Sequence, residues 1–372
     1  MIKSKSISYR VLKTVLYSLY LFIAVFVLLE IALRLYDPFR FRIKGNSIIL
    51  PANQVQHITN NINPKLDGKI TNSRNSLGLR GPDTPADFSK KLSVITIGGS
   101  TTECRFLDDD KTWSARLGER LKRDFPNVWV NNAGLDGHST YGHSVMLNDH
   151  IKKLRPTIVV FLTGINDIEN EGPSFFDKLN TKNSFPDLPH FILNNSEVIN
   201  AITNIWRGAR ARRFNNTTQS ARVPGEMGKL VLTKTQINQR LAAQKGFLDQ
   251  YHYRLVALAD TCKSNGIIPV FLTQPCLYGP GRDSVTGVDL SLAKVEEGMN
   301  GELLKAILDQ YNAEVKKVGE EVGVPCIDLA AAMPRNSLYY YDQTHFTNEG
   351  AEVVARLVAD SLSELIRRYY LQ

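Results

Sequence analysis

Ser100 stands in Gly98-Gly99-Ser100-Thr101-Thr102-Glu103, directly after the apolar, β-branched run 92–97. A run of that kind reads as a buried strand of a parallel sheet, and a serine at its carboxyl end lies where open α/β sheets place their ligands. Backbone N–H groups at such a strand-to-helix turn favour developing negative charge. A hydroxyl nucleophile needs a base, and the base needs an orienting carboxylate. His345 and Asp342, in Asp342-Gln343-Thr344-His345, supply both from one turn. A tetrahedral intermediate needs hydrogen-bond donors, and the side-chain amide of Asn166, in Gly164-Ile165-Asn166-Asp167, is a candidate. Each feature has a plain structural alternative: a Gly-Gly-Ser turn or an Asn-Asp pair caps helices, and a histidine near a C-terminus usually lies on the surface. Their joint occurrence points to acyl transfer through a serine.

The elements that must position these residues alternate. Strands are expected at 92–97, 128–131, 158–162, 267–272 and 324–329, with helices at about 113–125, 141–154, 244–265, 301–322 and 348–370 between and after them. Such alternation predicts an α/β domain with a parallel sheet covered on both faces.

Four blocks in order carry a family resemblance: Gly98-Gly99-Ser100, Asn132-Ala133-Gly134-Leu135-Asp136-Gly137, Gly164-Ile165-Asn166-Asp167 and Asp342-Gln343-Thr344-His345. The chain resembles an SGNH hydrolase of the GDSL lipase/esterase superfamily, over roughly residues 92–365. The resemblance implies a three-layer, flavodoxin-like fold with a central five-stranded parallel sheet. It also implies a catalytic Ser100, His345 and Asp342, and an oxyanion hole from the Ser100 and Gly137 N–H groups and the Asn166 amide. Gly134 is expected only to permit the turn. The mechanism calls for no metal and no organic cofactor. One departure is Gly99, where the GDSL motif has aspartate, a residue that makes and breaks no bonds. An α/β-hydrolase is excluded: its Gly-x-Ser-x-Gly elbow is absent, since Thr101 and Thr102 follow Ser100, and its acid and base lie on separate loops.

A formal charge of +8 raises the question of nucleic acid, which its distribution answers. Residues 1–44 hold eight basic and two acidic side chains and so supply +6, leaving +2 for the remainder. Basic residues around an apolar run are membrane flanks, and a nucleic-acid partner is not expected. The run 14–29, continued past Glu30 by Ile31-Ala32-Leu33, approaches the ~20 residues that span a bilayer. It reads as a cleaved signal peptide, a signal anchor or an amphipathic helix. Without a small-x-small cleavage site after it, the anchor is preferred. A Glu30/Arg34 pair at its edge is similar to that of anchored bacterial relatives, which implies an exported catalytic domain. The expected organisation is an anchor at 1–36, a linker and irregular lead-in at 37–91, and a hydrolase domain at 92–372.

Within that domain, residues 172–243 break the pattern with prolines, asparagines and Arg207, Arg210, Arg212 and Arg213 beside Trp206. The stretch reads either as a solvated face with a loose loop or as a recognition insert for anionic groups. Asn75-Ser76-Leu77-Gly78-Leu79-Arg80-Gly81 resembles a stretch preceding the first strand in anchored relatives and is assigned no chemistry. Cys104, Cys262, Cys276 and Cys326 are expected as buried thiols in preference to disulfides. The partner expected is an ester-bearing substrate (acylated glycan, lipid or small ester). Cleavage by water, transfer of an acetyl group to an exported polysaccharide, and a non-catalytic binding role remain as three readings.

Overall fold

The run at 92–98 is buried along its whole length and becomes an interior strand of a five-stranded sheet in the computed structural model. The structure describes residues 2–36, 43–44, 47–48, 50–61, 63–173, 177, 195–203, 205, 225 and 227–370. Arg207, Arg210, Arg212, Arg213 and Trp206 of the insert lie outside them. Two compact units divide the chain: residues 1–49 with 180–219, and residues 50–179 with 220–372.

The first unit is built on helix α1 (Ile2–Leu35). Its stretch Tyr9–Leu35 is long and apolar enough to cross a membrane, and none of its most apolar window is buried. Near its end, the Glu30 carboxylate accepts hydrogen bonds from Ser196 Oγ (2.9 Å) and from the N–H groups of Glu197 (3.0 Å) and Val198 (3.2 Å). Glu30 thereby satisfies orphan donors at the start of the helical turn 197–203. Arg34 donates to Glu30 Oε1 (2.9 Å) and to the Asn195 carbonyl (2.6 Å).

The second unit begins with an antiparallel hairpin, β1 (Gln54–Thr59) and β2 (Lys69–Arg74), in register Gln54↔Arg74 to Thr59↔Lys69. An irregular lead-in was expected here. The inward positions of β2 are Ile70, Asn72 and Arg74, so the two-residue period is real but mostly polar.

The parallel sheet comprises β3 (Leu92–Gly98), β4 (Val128–Asn132), β5 (Ile158–Leu162), β6 (Ile268–Leu272) and β7 (Cys326–Ile327). Their order is β7-β6-β5-β3-β4, all neighbours parallel. This is the doubly wound, flavodoxin-like arrangement, whose switch point lies between β3 and β5. Register aligns the strand ends: Gly98 pairs with Leu162, Leu162 with Leu272, and Thr96 with Asn132. Residues just beyond these ends therefore emerge on one edge. The last strand is shorter than the expected 324–329, because the Asp328 carboxylate turns to cap the short helix Leu329–Ala332.

Helix α2 (Ser100–Glu103) is a single turn after β3. Helix α3 (Trp113–Leu121) starts at Thr112, whose hydroxyl accepts from the Ala115 N–H, and it buries Trp113, Leu117 and Leu121 at a four-residue spacing. The helix expected at 141–154 is α4 (Thr140–Val145), continued by a π-helical turn Met146–Ile151. Helix α5 (Lys234–Ala242) opens with a Thr233/Gln236 capping box and leads into α6 (Lys245–Ser264). In α7 (Gly301–Val322), Asn300 caps the start and Gly323, at φ +62°, ends it. Its stripe Leu304, Ile307, Leu308, Tyr311, Val315 and Val318 is buried. Helix α8 (Asn348–Tyr370) packs on α3, tied to it by ion pairs Arg120–Glu352 and Arg116–Glu352. Helices α6 and α7 pack together on the opposite side.

Candidate active site

Beyond Gly98 the chain turns through Gly99 into α2, and tight packing fixes that turn. A Cβ on Gly98 would lie 2.1 Å from Thr102 Oγ1. One on Gly134 would lie 2.4 Å from the Glu103 N atom. The role of Gly134 is thus close approach of the Asn132–Gly137 loop to α2. It is absent from the glycines with positive φ, so the expectation that it merely permits a turn is corrected. Asn132 holds the same contact, donating from Nδ2 to the Thr102 carbonyl (2.6 Å) while its Oδ1 accepts from the Gly134 N–H (2.8 Å).

Helix α2 ends at Cys104, a non-glycine residue in the left-handed region (φ +51°). Arg80 over-determines this conformation. Its buried guanidinium donates to the carbonyls of Glu103 (3.0 Å), Cys104 (2.6 Å), Leu107 and Thr71, and its Nε to Asp109 Oδ1 (2.7 Å). The stretch 75–81, assigned no chemistry from sequence, is a clamp on the loop behind Ser100.

Ser100 meets Asp342 and His345, 242 and 245 residues further along the chain, at this edge. Ser100 Oγ lies 2.7 Å from His345 Nε2, and His345 Nδ1 lies 2.7 Å from Asp342 Oδ2. The other carboxylate oxygen, Asp342 Oδ1, accepts from the N–H groups of Thr344 and His345, each at 2.9 Å. Three groups thus fix the carboxylate, and the imidazole is held from both nitrogens. The Tyr341 ring stacks on the His345 ring at 5.4 Å and 11°. Asn63 Nδ2 donates to the Tyr341 carbonyl (3.0 Å), and Lys65 Nζ to those of Ser337 (2.7 Å) and Tyr340 (3.3 Å). These two residues come from the loop between β1 and β2.

Burial pulls the His345 pKa down, but the charge and hydrogen bond of Asp342, with the charges of Asp136 and Glu103, outweigh it. The net shift is upward from the ordinary value. A base held this way takes a proton more readily than free imidazole.

Asn166 sits in the turn Ile165–Asp167 that follows Gly164 (φ +128°). Its Nδ2 donates to the His138 carbonyl (2.9 Å), leaving the second amide proton for another acceptor. A Cβ on Gly99 would lie 2.4 Å from that Nδ2, so the amide occupies the space a side chain at position 99 would take. The missing aspartate of the GDSL motif has a physical counterpart here. Gly137, at φ +71°, is the third residue of the turn Leu135–His138, closed by the His138 N–H on the Leu135 carbonyl (3.2 Å). That is the position where a type II turn requires positive φ. The residues expected to supply oxyanion donors therefore lie on adjoining turns: Asn166 touches Gly99, next to Ser100, and is bonded to His138, next to Gly137.

Next to Asn166, the buried Asp167 accepts from the Thr140 N–H (3.0 Å) and Oγ1 (2.5 Å), with Arg254 Nη2 at 3.3 Å. Burial pushes its pKa up to about 6, against the pull of Arg254 and Thr140. All four cysteines are free thiols. Burial raises each to about 12, so they stay protonated.

Fold and site together define a serine-type ester hydrolase on a flavodoxin-like sheet. The chain belongs to the GDSL-like lipase/acylhydrolase family, whose model matches residues 96–353, and it is an SGNH-type enzyme. No curated protein matches it. Among solved structures it is similar to an α/β hydrolase enzyme from the metagenome of Lake Arreo, Spain (15% identity, 73% of this chain and 95% of that one, TM-score 0.42). It is also similar to a putative lipolytic protein of the G-D-S-L family from Desulfitobacterium hafniense (12%, 73% and 99%, 0.39). A third is an acetylxylan esterase from Geobacillus stearothermophilus (15%, 73% and 94%, 0.42).

Proposed function

We propose that the protein cleaves O-acyl esters through a Ser100-His345-Asp342 triad. The observation that carries this reading is the unbroken relay from Ser100 Oγ through His345 to Asp342, with both links at 2.7 Å. His345 Nε2 takes the serine proton as Oγ attacks the ester carbonyl, and Asp342 stabilises the imidazolium. The negative oxygen of the tetrahedral intermediate is met by the Ser100 and Gly137 N–H groups and the Asn166 amide. His345 then protonates the leaving alcohol. Water, activated by the same imidazole, releases the acid and restores Ser100. Ser100→Ala tests the reading: turnover of a chromogenic acyl ester should fall by several orders of magnitude in a folded protein. A folded variant that keeps most of its activity refutes the triad.

The apolar helix within residues 1–36 is read as a membrane anchor, on the ground that its apolar side chains are exposed along Tyr9–Leu35. Full-length protein should sediment with membranes, and a chain lacking residues 1–36 should remain in the supernatant with its esterase activity. A deletion variant that still sediments refutes the anchor.

A further inference from the structure

Glu103 is a buried carboxylate that the triad does not use. It closes α2, three residues after Ser100, and its two oxygens point to different parts of the fold. Oε1 receives Arg74 Nη2 (2.5 Å), from the last residue of β2. Oε2 accepts the backbone N–H of Asp136 (2.7 Å), the residue before Gly137. Arg74 is itself buried, so each charge depends on the other for compensation.

The turn carrying Gly137 is thereby held on both flanks. On one side Glu103 fixes the Asp136 N–H; on the other the Asn166 amide fixes the His138 carbonyl. Both restraining groups belong to elements that start at the sheet edge beside Ser100. The turn itself is closed by the Leu135–His138 bond, and its first residue is tied to the end of β3 by the Leu135 N–H on the Gly98 carbonyl (3.1 Å). A Gly at positive φ is also the residue with most freedom to reorient its peptide. The Gly98 bond fixes where the turn begins, while the direction of the peptide between Asp136 and Gly137 follows from how the Asp136 backbone is held.

We propose that Glu103, anchored by Arg74, is a positioning residue for the oxyanion hole: by holding the Asp136 N–H, in the peptide directly before the one that carries the Gly137 N–H, it sets the entry to the turn so that the Gly137 N–H faces the oxygen developing at the Ser100 adduct. This rests on the catalytic reading above. It also makes the hairpin β1–β2, through Arg74, a part of the catalytic apparatus. The carboxylate touches no reacting atom, so its removal leaves the nucleophile and base in place and spoils the alignment of one donor. A misplacement of about 1 Å in such a group costs up to about a hundredfold.

The test uses the full-length enzyme, a small acetyl ester and methylboronic acid, which forms a tetrahedral adduct on a reactive serine. Inhibition of the wild type by the boronate, abolished by Ser100→Ala, checks the catalytic reading independently. Glu103→Ala should then lower kcat about ten- to a hundredfold with KM changed less than about threefold. It should weaken boronate inhibition by a similar factor. Arg74→Met should act in the same direction, and the double variant should lose no more than Glu103→Ala alone, since both work through one contact. Should Glu103→Ala fail to fold, Glu103→Gln is measured in the same way: its amide can satisfy Asp136 or Arg74 but not both, so kcat and boronate affinity again fall together. Wild-type kcat in a folded Glu103 variant overturns the proposal. So does a loss of kcat with boronate affinity unchanged, or a double variant whose losses multiply.

Discussion

Gly99→Ala isolates the space that position 99 leaves to the Asn166 amide. Gly99 has φ −82°, which any residue adopts, so the backbone carries no penalty for a side chain. The new Cβ would fall 2.4 Å from Asn166 Nδ2 and 3.0 Å from the His138 carbonyl oxygen. Relief to an ordinary contact requires the amide to withdraw by about 1 Å, which breaks its alignment to an oxyanion and strains its bond to His138. Loss of one such donor costs about 10²–10³ in kcat, or about 3–4 kcal/mol of transition-state stabilisation. Steady-state kinetics on an acetyl ester should therefore show kcat down by about two orders of magnitude, with KM and melting temperature little changed. The decisive arm is the pair Gly99→Ala/Asn166→Ala. With the amide gone the severe overlap is removed and only the 3.0 Å approach to the His138 carbonyl is left, so the double variant should be little slower than Asn166→Ala alone. Two outcomes refute the reasoning: wild-type kcat in Gly99→Ala, or a double variant whose losses multiply.

The acid limb of the pH–rate profile should lie above the ordinary histidine value of about 6.5, because the neutral imidazole is the base and its pKa is raised. Activity then falls as pH drops through that raised pKa. Asp342→Asn removes the largest stabilising partner of the imidazolium, and its limb should move to lower pH with a reduced kcat; a limb that stays put would show that another group titrates. Arg80→Ala strands the buried carbonyls that end α2 and takes the cation from Asp109, which keeps the Ser73 N–H, so it should destabilise the fold by about 1–3 kcal/mol, read by chemical denaturation. Removing residues 1–49 should leave esterase activity intact. Removing 1–91 deletes Asn63, Arg74 and Arg80 and should abolish it even where soluble protein is recovered.

The sheet was legible because its strands are short apolar runs with β-branched residues, the first four followed within three residues by a glycine, asparagine or proline. The long helices 301–322 and 348–370 were equally plain from their buried stripes. Ser100 and Asn166 could be singled out because they follow strand ends, and Asp342 and His345 because a carboxylate and an imidazole stand three residues apart ahead of the last helix; register, with Gly98 and Leu162 side by side, brings the first two to one edge. Glu103, Arg74 and Arg80 were not legible. Each is an ordinary charged residue in sequence, and its importance comes from burial and from backbone groups far along the chain. The β1–β2 hairpin was missed for a related reason. Its inward row is Ile70, Asn72 and Arg74, and polar side chains that face inward to clamp a neighbour erase the alternation by which strands are recognised. The edge strand was overestimated because Val324-Pro325-Cys326-Ile327 continues apolar up to Asp328, whose capping bond ends it.

Asn63 bonds the Tyr341 carbonyl across 278 residues, and Lys65 reaches Ser337 across 272. During synthesis the hairpin loop emerges long before the segment it grips. At about 5–20 residues per second, the wait is roughly 15–55 seconds. For most of that interval Ser100 has been made while His345, the base of the proposed triad, does not yet exist. On the triad reading, the growing polypeptide therefore stays catalytically silent until the segment 337–345 has been made and has closed under the waiting loop.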